Sequence, residues 1–279
     1  MIADRTLPGD LSVRVHYPEH LSQPLPVIVF SHGLGGSRLG YHDLAQAWAE
    51  REYVVVLPSH REKVPLGVAE VEQPSVAEMR AMKEAIGDPR NWPLRPLDIR
   101  RTVDALEALP DEVRALRGML DLSRIGVGGH SYGAYTALLC AGAQVQFPDG
   151  SRQTFPEPRA KAFVVLSPPG NGARGLSAQS WQSIHAPLLC MTGTRDDGIL
   201  GEPPAWREDG FKGLSGSDHG LVVLDGADHF SFAGGRARRP AEPSLMRQIE
   251  AATLWFWDKH LRAVETPFPA LEGARVEWK

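Results

Sequence analysis

Cysteine is scarce: Cys140 and Cys190 are the only two in 279 residues. Both lie in apolar runs (ALLCAGA and PLLCMTG), which reads as two buried, reduced thiols and excludes a disulfide-stapled scaffold. Long apolar runs are missing too. The longest, such as Pro26–Phe30 and Tyr53–Pro58, fall far short of the ~18 residues that a bilayer span needs. The N-terminal stretch MIADRTLPGD has no apolar core of a secretory signal, so a cytoplasmic protein is expected unless such a signal has been removed. Positive charge is not in excess. A net charge of −4 argues against nucleic acid or an anionic membrane as the main partner. HExxH, cysteine clusters and EF-hand spacing are all absent, so no metal is expected. The glycine run after His32 lacks both the Lys-Ser/Thr of a phosphate loop and a G-x-G-x-x-G pattern, so no nucleotide cofactor is expected either.

What is present is an ordinary globular composition, 42% hydrophobic and 23% charged. The length allows one large domain or two small ones, and one domain over 1–279 is the expectation. Short apolar runs alternate with helical patterns. Leu11–Tyr17, Val27–Ser31, Tyr53–Leu57, Ile125–Val127, Ala162–Leu166, Leu188–Met191 and Leu221–Leu224 read as strands, most of them apolar throughout, as strands covered on both faces are. Between them, Tyr41–Arg51, Ser75–Ile86, Pro96–Leu109, Tyr132–Ala143 and Ser244–Leu261 read as helices, with Ser244 as an N-cap. Such alternation predicts an α/β fold with a mostly parallel sheet and helices on both faces. Four stretches rich in Pro, Gly and charge interrupt it: 60–95, 144–159, 168–186 and 198–219. They read as insertions at the sheet edge, the first of them cap-like.

The chemistry concentrates in RIGVGGHSYGAYTALL, where Gly129-x-Ser131-x-Gly133 stands between a strand and a helix. A tight strand-to-helix turn strains the serine backbone, lifts its hydroxyl above the sheet and needs small neighbours two residues either side. It also sets the Tyr132 N–H at a helix N-terminus, which favours an oxyanion. A serine hydroxyl needs a base at neutral pH. Of ten histidines, His229 follows a buried strand in VVLDGADHFSF and so reaches the same sheet edge. His32 reads as a loop-shaping residue and His130 as pointing into the turn; His16, His20, His42, His60, His185, His219 and His260 lie outside such a position. The imidazole needs an orienting carboxylate. Asp196 and Asp197 both follow the strand Leu188–Thr192, and Asp196 is preferred for its place in a G-x-x-D turn. The second oxyanion donor is expected from the loop SHGLGGS, at the Leu34 N–H. Tyr41, Trp92, Trp181, Trp206 and Phe232 are candidates for an apolar substrate pocket.

With VIVFSHGLGGSR, VVVLPSHRE, WPLRPLDIRRTVDAL, GGHSYGA and DGADHFSF, the chain resembles the α/β-hydrolase superfamily over nearly its whole length. Within it, the chain is similar to bacterial dienelactone-hydrolase-like proteins and to platelet-activating-factor acetylhydrolases. The chain order Ser131, Asp196, His229 agrees. The resemblance implies a serine esterase: attack by Ser131 on a small-molecule carboxylic ester, an acyl-serine intermediate, and Leu34 and Tyr132 as oxyanion-hole backbones. Two departures stand out. Dienelactone hydrolases use a cysteine where Ser131 stands. The acetylhydrolases carry their acid one strand earlier, near Ser167, where no carboxylate occurs. Amidase, thioesterase and lipid or polyester hydrolase are alternatives on the same three residues. A non-catalytic binder on this fold would be expected to show a damaged set, and the set here is intact by type and order.

Overall fold

The computed structural model describes residues 1–8, 10–60, 76–236, 239–240 and 242–279. Nine strands form the main sheet: β1 (Ile2–Leu7), β2 (Leu11–His16), β3 (Leu25–Ser31), β4 (Val54–Pro58), β5 (Leu120–His130), β6 (Ala160–Leu166), β7 (Leu188–Arg195), β8 (His219–Asp228) and β9 (Ala274–Trp278). Their spatial order is β1-β2-β4-β3-β5-β6-β7-β8-β9. The six strands from β4 to β8 in that order run parallel, while β1, β2 and β9 pair antiparallel at the two margins.

Side-chain alternation along the parallel strands divides the interior into two cores. Val27, Val29, Val54, Val56, Val127 and Val165 face one side, where they meet Ile99 and Val103 of α3 (Leu94–Ala105) and Leu138 of α4 (Tyr132–Cys140). Ile28, Phe30, Val55, Val164, Leu189 and Val222 face the other, against Trp48 of α1 (His42–Glu50) and Phe256 and Trp257 of α5 (Pro243–Arg262). This is why these strands are apolar at every position: neither face meets water. Trp48 and Trp257 cross edge to face at 6.0 Å, and the Trp48 indole N–H donates to Thr253 Oγ1 at 3.0 Å, so that ring is buried with its one polar atom paired.

The α/β expectation is met, with refinements. β1 and β9 were not foreseen, since IADRTL and ARVEW carry charges and lie at edges where one side stays wet. The long closing helix starts one residue earlier than expected. Its N-cap is Glu242, whose carboxylate accepts from the Ser244 and Leu245 amides at 3.2 Å each, so Ser244 lies inside the helix. Residues 94–112 break into α3 and a short turn of helix, Leu109–Glu112. A helix spans α2 (Val76–Gly87), but residues 61–75 of the cap-like insertion, Ser75 among them, lie outside the described residues. Because β3 to β8 are parallel, their following loops emerge together along one edge. That edge carries residues 32–36, His60, Ser131, Ser167, Asp196 and His229.

Candidate active site

Ser131 joins β5 to α4 with φ 56° and ψ −115°, a left-handed-side conformation that a side chain rarely adopts. The turn is tight enough to require glycines. A Cβ on Gly129 would overlap the Gly133 carbonyl, and a Cβ on Gly133 would overlap the Ser31 carbonyl oxygen. The strain is held by neighbours: the Ser131 amide donates to the Leu166 carbonyl at 2.9 Å, and the Tyr135 amide donates to the Ser131 carbonyl at 3.0 Å.

His229 follows β8 and stands 2.9 Å from Ser131 Oγ through Nε2 and 3.1 Å from Asp196 Oδ1 through Nδ1. Asp196 is wholly buried, while Asp197 is exposed. The structure thus sets Asp196, and not Asp197, against the imidazole. Burial on its own would push the Asp196 carboxyl up. The His229 hydrogen bond, the Arg207 guanidinium and the Ser167 hydroxyl outweigh burial and hold it below the usual carboxylate value. Thr192 Oγ1 donates to Asp196 Oδ2 at 2.9 Å, and Ser167 Oγ makes a very short hydrogen bond to the same oxygen.

The loop after β3 lies beside the serine, with the Cβ position of Gly33 only 3.6 Å from Ser131 Cβ. Arg95 of α3, buried, donates to the His32 carbonyl and, at 3.4 Å, to the Gly33 carbonyl. Its guanidinium also lies 4.5 Å from the Tyr132 ring centre. Tyr132 opens α4, where backbone N–H groups point outward along the axis. The half-buried Leu34 lies in the neighbouring loop, and its amide forms no hydrogen bond among the described residues.

A directed chain of hydrogen bonds ties this loop to the histidine. His130 Nε2 faces the His229 carbonyl at 2.9 Å, so Nε2 carries the proton. Burial, reinforced by His229, pushes the His130 pKa well below 6.5, so the ring is neutral and Nδ1 accepts from the Tyr41 hydroxyl at 2.8 Å. The Tyr41 oxygen in turn accepts from the Gly33 amide at 3.0 Å. Burial pushes the Tyr41 phenol up to about 12, which keeps that donor protonated. Tyr41→Phe leaves two buried polar groups without partners. It should lower unfolding stability by about 1–3 kcal/mol in urea titrations; an unchanged midpoint would contradict the chain.

The sequence reading missed Ser31, Asp98 and Arg207 and set His60 aside. Ser31, His60 and Asp98 form a second Ser–His–Asp series, with Ser31 Oγ 2.8 Å from His60 Nε2 and His60 Nδ1 3.4 Å from Asp98 Oδ2. All three side chains are buried and Ser31 lies in a regular strand, so no ester carbonyl reaches that hydroxyl. His60 follows the apolar run VVVLP much as His229 follows LVVL, a signal that was available. Arg207 and Ser167 carried no such signal.

The five aromatic candidates lie in different surroundings. Trp181 is fully buried beneath Gly210 and Gly213, with its indole N–H on Asn171 Oδ1 at 3.0 Å. Phe232 is buried in the core on the α5 side, and Trp92 is buried with its N–H on the Ile86 carbonyl at 3.1 Å. Tyr41 is committed to the hydrogen-bond chain above. Trp206 is half-buried and donates to the Asn171 carbonyl at 2.8 Å. Among the described residues, no group of three or more His, Cys, Asp or Glu side chains could hold a metal ion. No described helix is long and apolar enough to cross a membrane.

Residues 28–271 match the model of the alpha/beta hydrolase family. Among solved structures, the chain is similar to one described as a "Putative Dienelactone Hydrolase" from Klebsiella pneumoniae subsp. pneumoniae MGH 78578. The TM-score is 0.67 at 16% identity, covering 93% of this chain and 99% of that one. At that identity the likeness speaks for the fold.

Proposed function

Because the chain belongs to the alpha/beta hydrolase family, we propose that it is a serine hydrolase of carboxylic esters, with Ser131 as nucleophile, His229 as base and Asp196 as the orienting acid. One observation carries this reading: a serine on a strained turn lies 2.9 Å from an imidazole whose far nitrogen faces a buried carboxylate. With Nδ1–H on Asp196, the Nε2 lone pair faces the hydroxyl. As Ser131 Oγ bonds to the ester carbon, its proton passes to Nε2. The carbonyl oxygen becomes an oxyanion between the Leu34 and Tyr132 N–H groups, an arrangement in which each donor is worth about 10²–10³-fold in rate. Collapse breaks the carbon–oxygen bond, Nε2–H protonates the leaving alkoxide, and water repeats the cycle on the acyl-serine. The buried, hydrogen-bonded Asp196 supports the imidazolium in both halves.

The test is covalent labelling. A fluorophosphonate should add once per chain by intact mass, and peptide mapping should find the adduct on Ser131. An adduct elsewhere, or none, would overturn the assignment. A matched set of p-nitrophenyl esters, p-nitroanilides and thioesters then tests the ester class: esters should turn over fastest, and faster anilide cleavage would move the reading to an amidase.

A further inference from the structure

Asp196 is not paired with the imidazole alone. Arg207, in a short 3₁₀ turn at Pro204–Glu208, is buried with Nε 2.6 Å from Asp196 Oδ1. Every guanidinium N–H is directed at an acceptor. Nε–H also reaches the Asp196 carbonyl at 2.8 Å. Nη1 donates to the Ser167 and Pro168 carbonyls at 3.0 and 3.3 Å. Nη2 donates to the Asp197 carbonyl at 2.8 Å, and its remaining direction meets His229 Nδ1 at 3.1 Å. A guanidinium cannot turn a donor into an acceptor. It bonds to Nδ1 only when that nitrogen is bare.

The two neutral forms of His229 therefore each have a partner. In one, Nδ1–H donates to Asp196 Oδ1 and the Nε2 lone pair faces Ser131. In the other, Arg207 Nη2–H donates to bare Nδ1, and Nε2–H donates to Ser131 Oγ. Only the first can take the serine proton. We propose that Arg207 is a positioning residue of the active site, a buried cation that shares His229 Nδ1 with Asp196 and so sets which neutral form of the imidazole faces Ser131. This rests on the serine-hydrolase reading above.

The surroundings of the ring agree. His229 is faced by Ser131, by Asp196, by Arg207, by the neutral ring of His130 at 4.7 Å and by the Phe230 ring at 5.4 Å. Asp228, one residue before it, accepts through Oδ1 from the Phe230 and Ser231 amides at 3.0 Å each. Tyr41 touches the ring's neighbour, His130. Asp197 and Glu202 act electrostatically on Arg207 from its outer side. The Asp196 carboxylate is divided among Arg207, Ser167, Thr192 and His229. Asp196 therefore does not hold Nδ1–H alone, and the adjacent guanidinium offers a donor to the bare nitrogen.

The experiment compares side-chain ¹⁵N spectra and ester kcat and KM in the parent, Arg207→Gln and Arg207→Lys. The His229 Nδ1 signal of Arg207→Gln should move toward the fully protonated extreme, with KM little changed, while Arg207→Lys, which keeps the cation, stays near the parent. Coincident Nδ1 signals for the parent and Arg207→Gln would overturn the proposal. Should Arg207→Gln fail to fold, ¹⁵N spectra of the histidine side chains in the parent decide. A His229 Nδ1 signal between the protonated and bare extremes supports the shared nitrogen, and one at the fully protonated extreme refutes it. If the parent takes no adduct on Ser131, the serine-hydrolase reading falls and this proposal with it. An adduct with coincident Nδ1 signals removes the role of Arg207 alone.

Discussion

Ser131→Ala is expected to lower kcat on a p-nitrophenyl ester by about 10⁴-fold or more, and His229→Ala to do the same. The two changes combined cost hardly more than either alone, because hydroxyl and imidazole act as one unit at 2.9 Å. Asp196→Asn leaves the packing in place but offers the wrong hydrogen-bond partner to Nδ1, and costs about 10²–10⁴-fold. Steady-state kinetics check these values, with circular dichroism as the control for folding. A Ser131→Ala enzyme that keeps a tenth of its activity would end the nucleophile assignment. The strained backbone adds a second signature. At φ 56°, glycine is relieved of the Cβ clash that alanine keeps. Ser131→Gly should be as inactive as Ser131→Ala yet as stable or more so, by about 0.5–1 kcal/mol in urea.

Acidification should destabilise the protein well before its carboxylates titrate. Burial pushes His16 down to about 4 and His260 likewise to about 4, and it holds His32 and His130 well below the usual histidine value. Each of these rings is neutral when folded and binds a proton more readily when unfolded. The stability they contribute is fully present above the unfolded value near 6.5, and it is lost as pH falls through the folded one. For His16, wholly buried, the fall from 6.5 to about 4 corresponds to about 3 kcal/mol. Asp196 adds a loss lower down: its folded value is depressed, so its contribution holds above about 4 and disappears below. Urea midpoints should therefore be level above pH 7 and drop steeply between pH 6.5 and 4. A level profile down to pH 4.5 would contradict the buried neutral histidines.

Much of the fold was legible because its signals are local. Runs such as VIVFS and VVVLP are apolar at every position, and a chain segment of that kind is stable only as a strand covered on both faces. The edge strands Ile2–Leu7 and Ala274–Trp278 lacked that signal, since half of an edge strand meets water. The strained serine turn was legible for a similar reason. Gly129 and Gly133 flank a serine in a space where neither position admits a Cβ. The aromatic residues show the limit. Trp181 and Phe232 look the same in sequence whether they line a pocket or fill a core, and packing put both in the core.

The sequence by itself determined the parallel sheet, the strained turn at Ser131 and the strand ends from which Asp196 and His229 would be presented, because backbone preference and burial pattern act over a few residues. Tertiary structure decided which groups surround those ends. It chose Asp196 over its neighbour, brought Arg207 onto both Asp196 and His229, and linked Gly33 through Tyr41 and His130 to the His229 carbonyl. The physical reason is distance along the chain. Strand order and loop paths bring together groups from 8 to 99 residues apart, and no local pattern encodes those meetings.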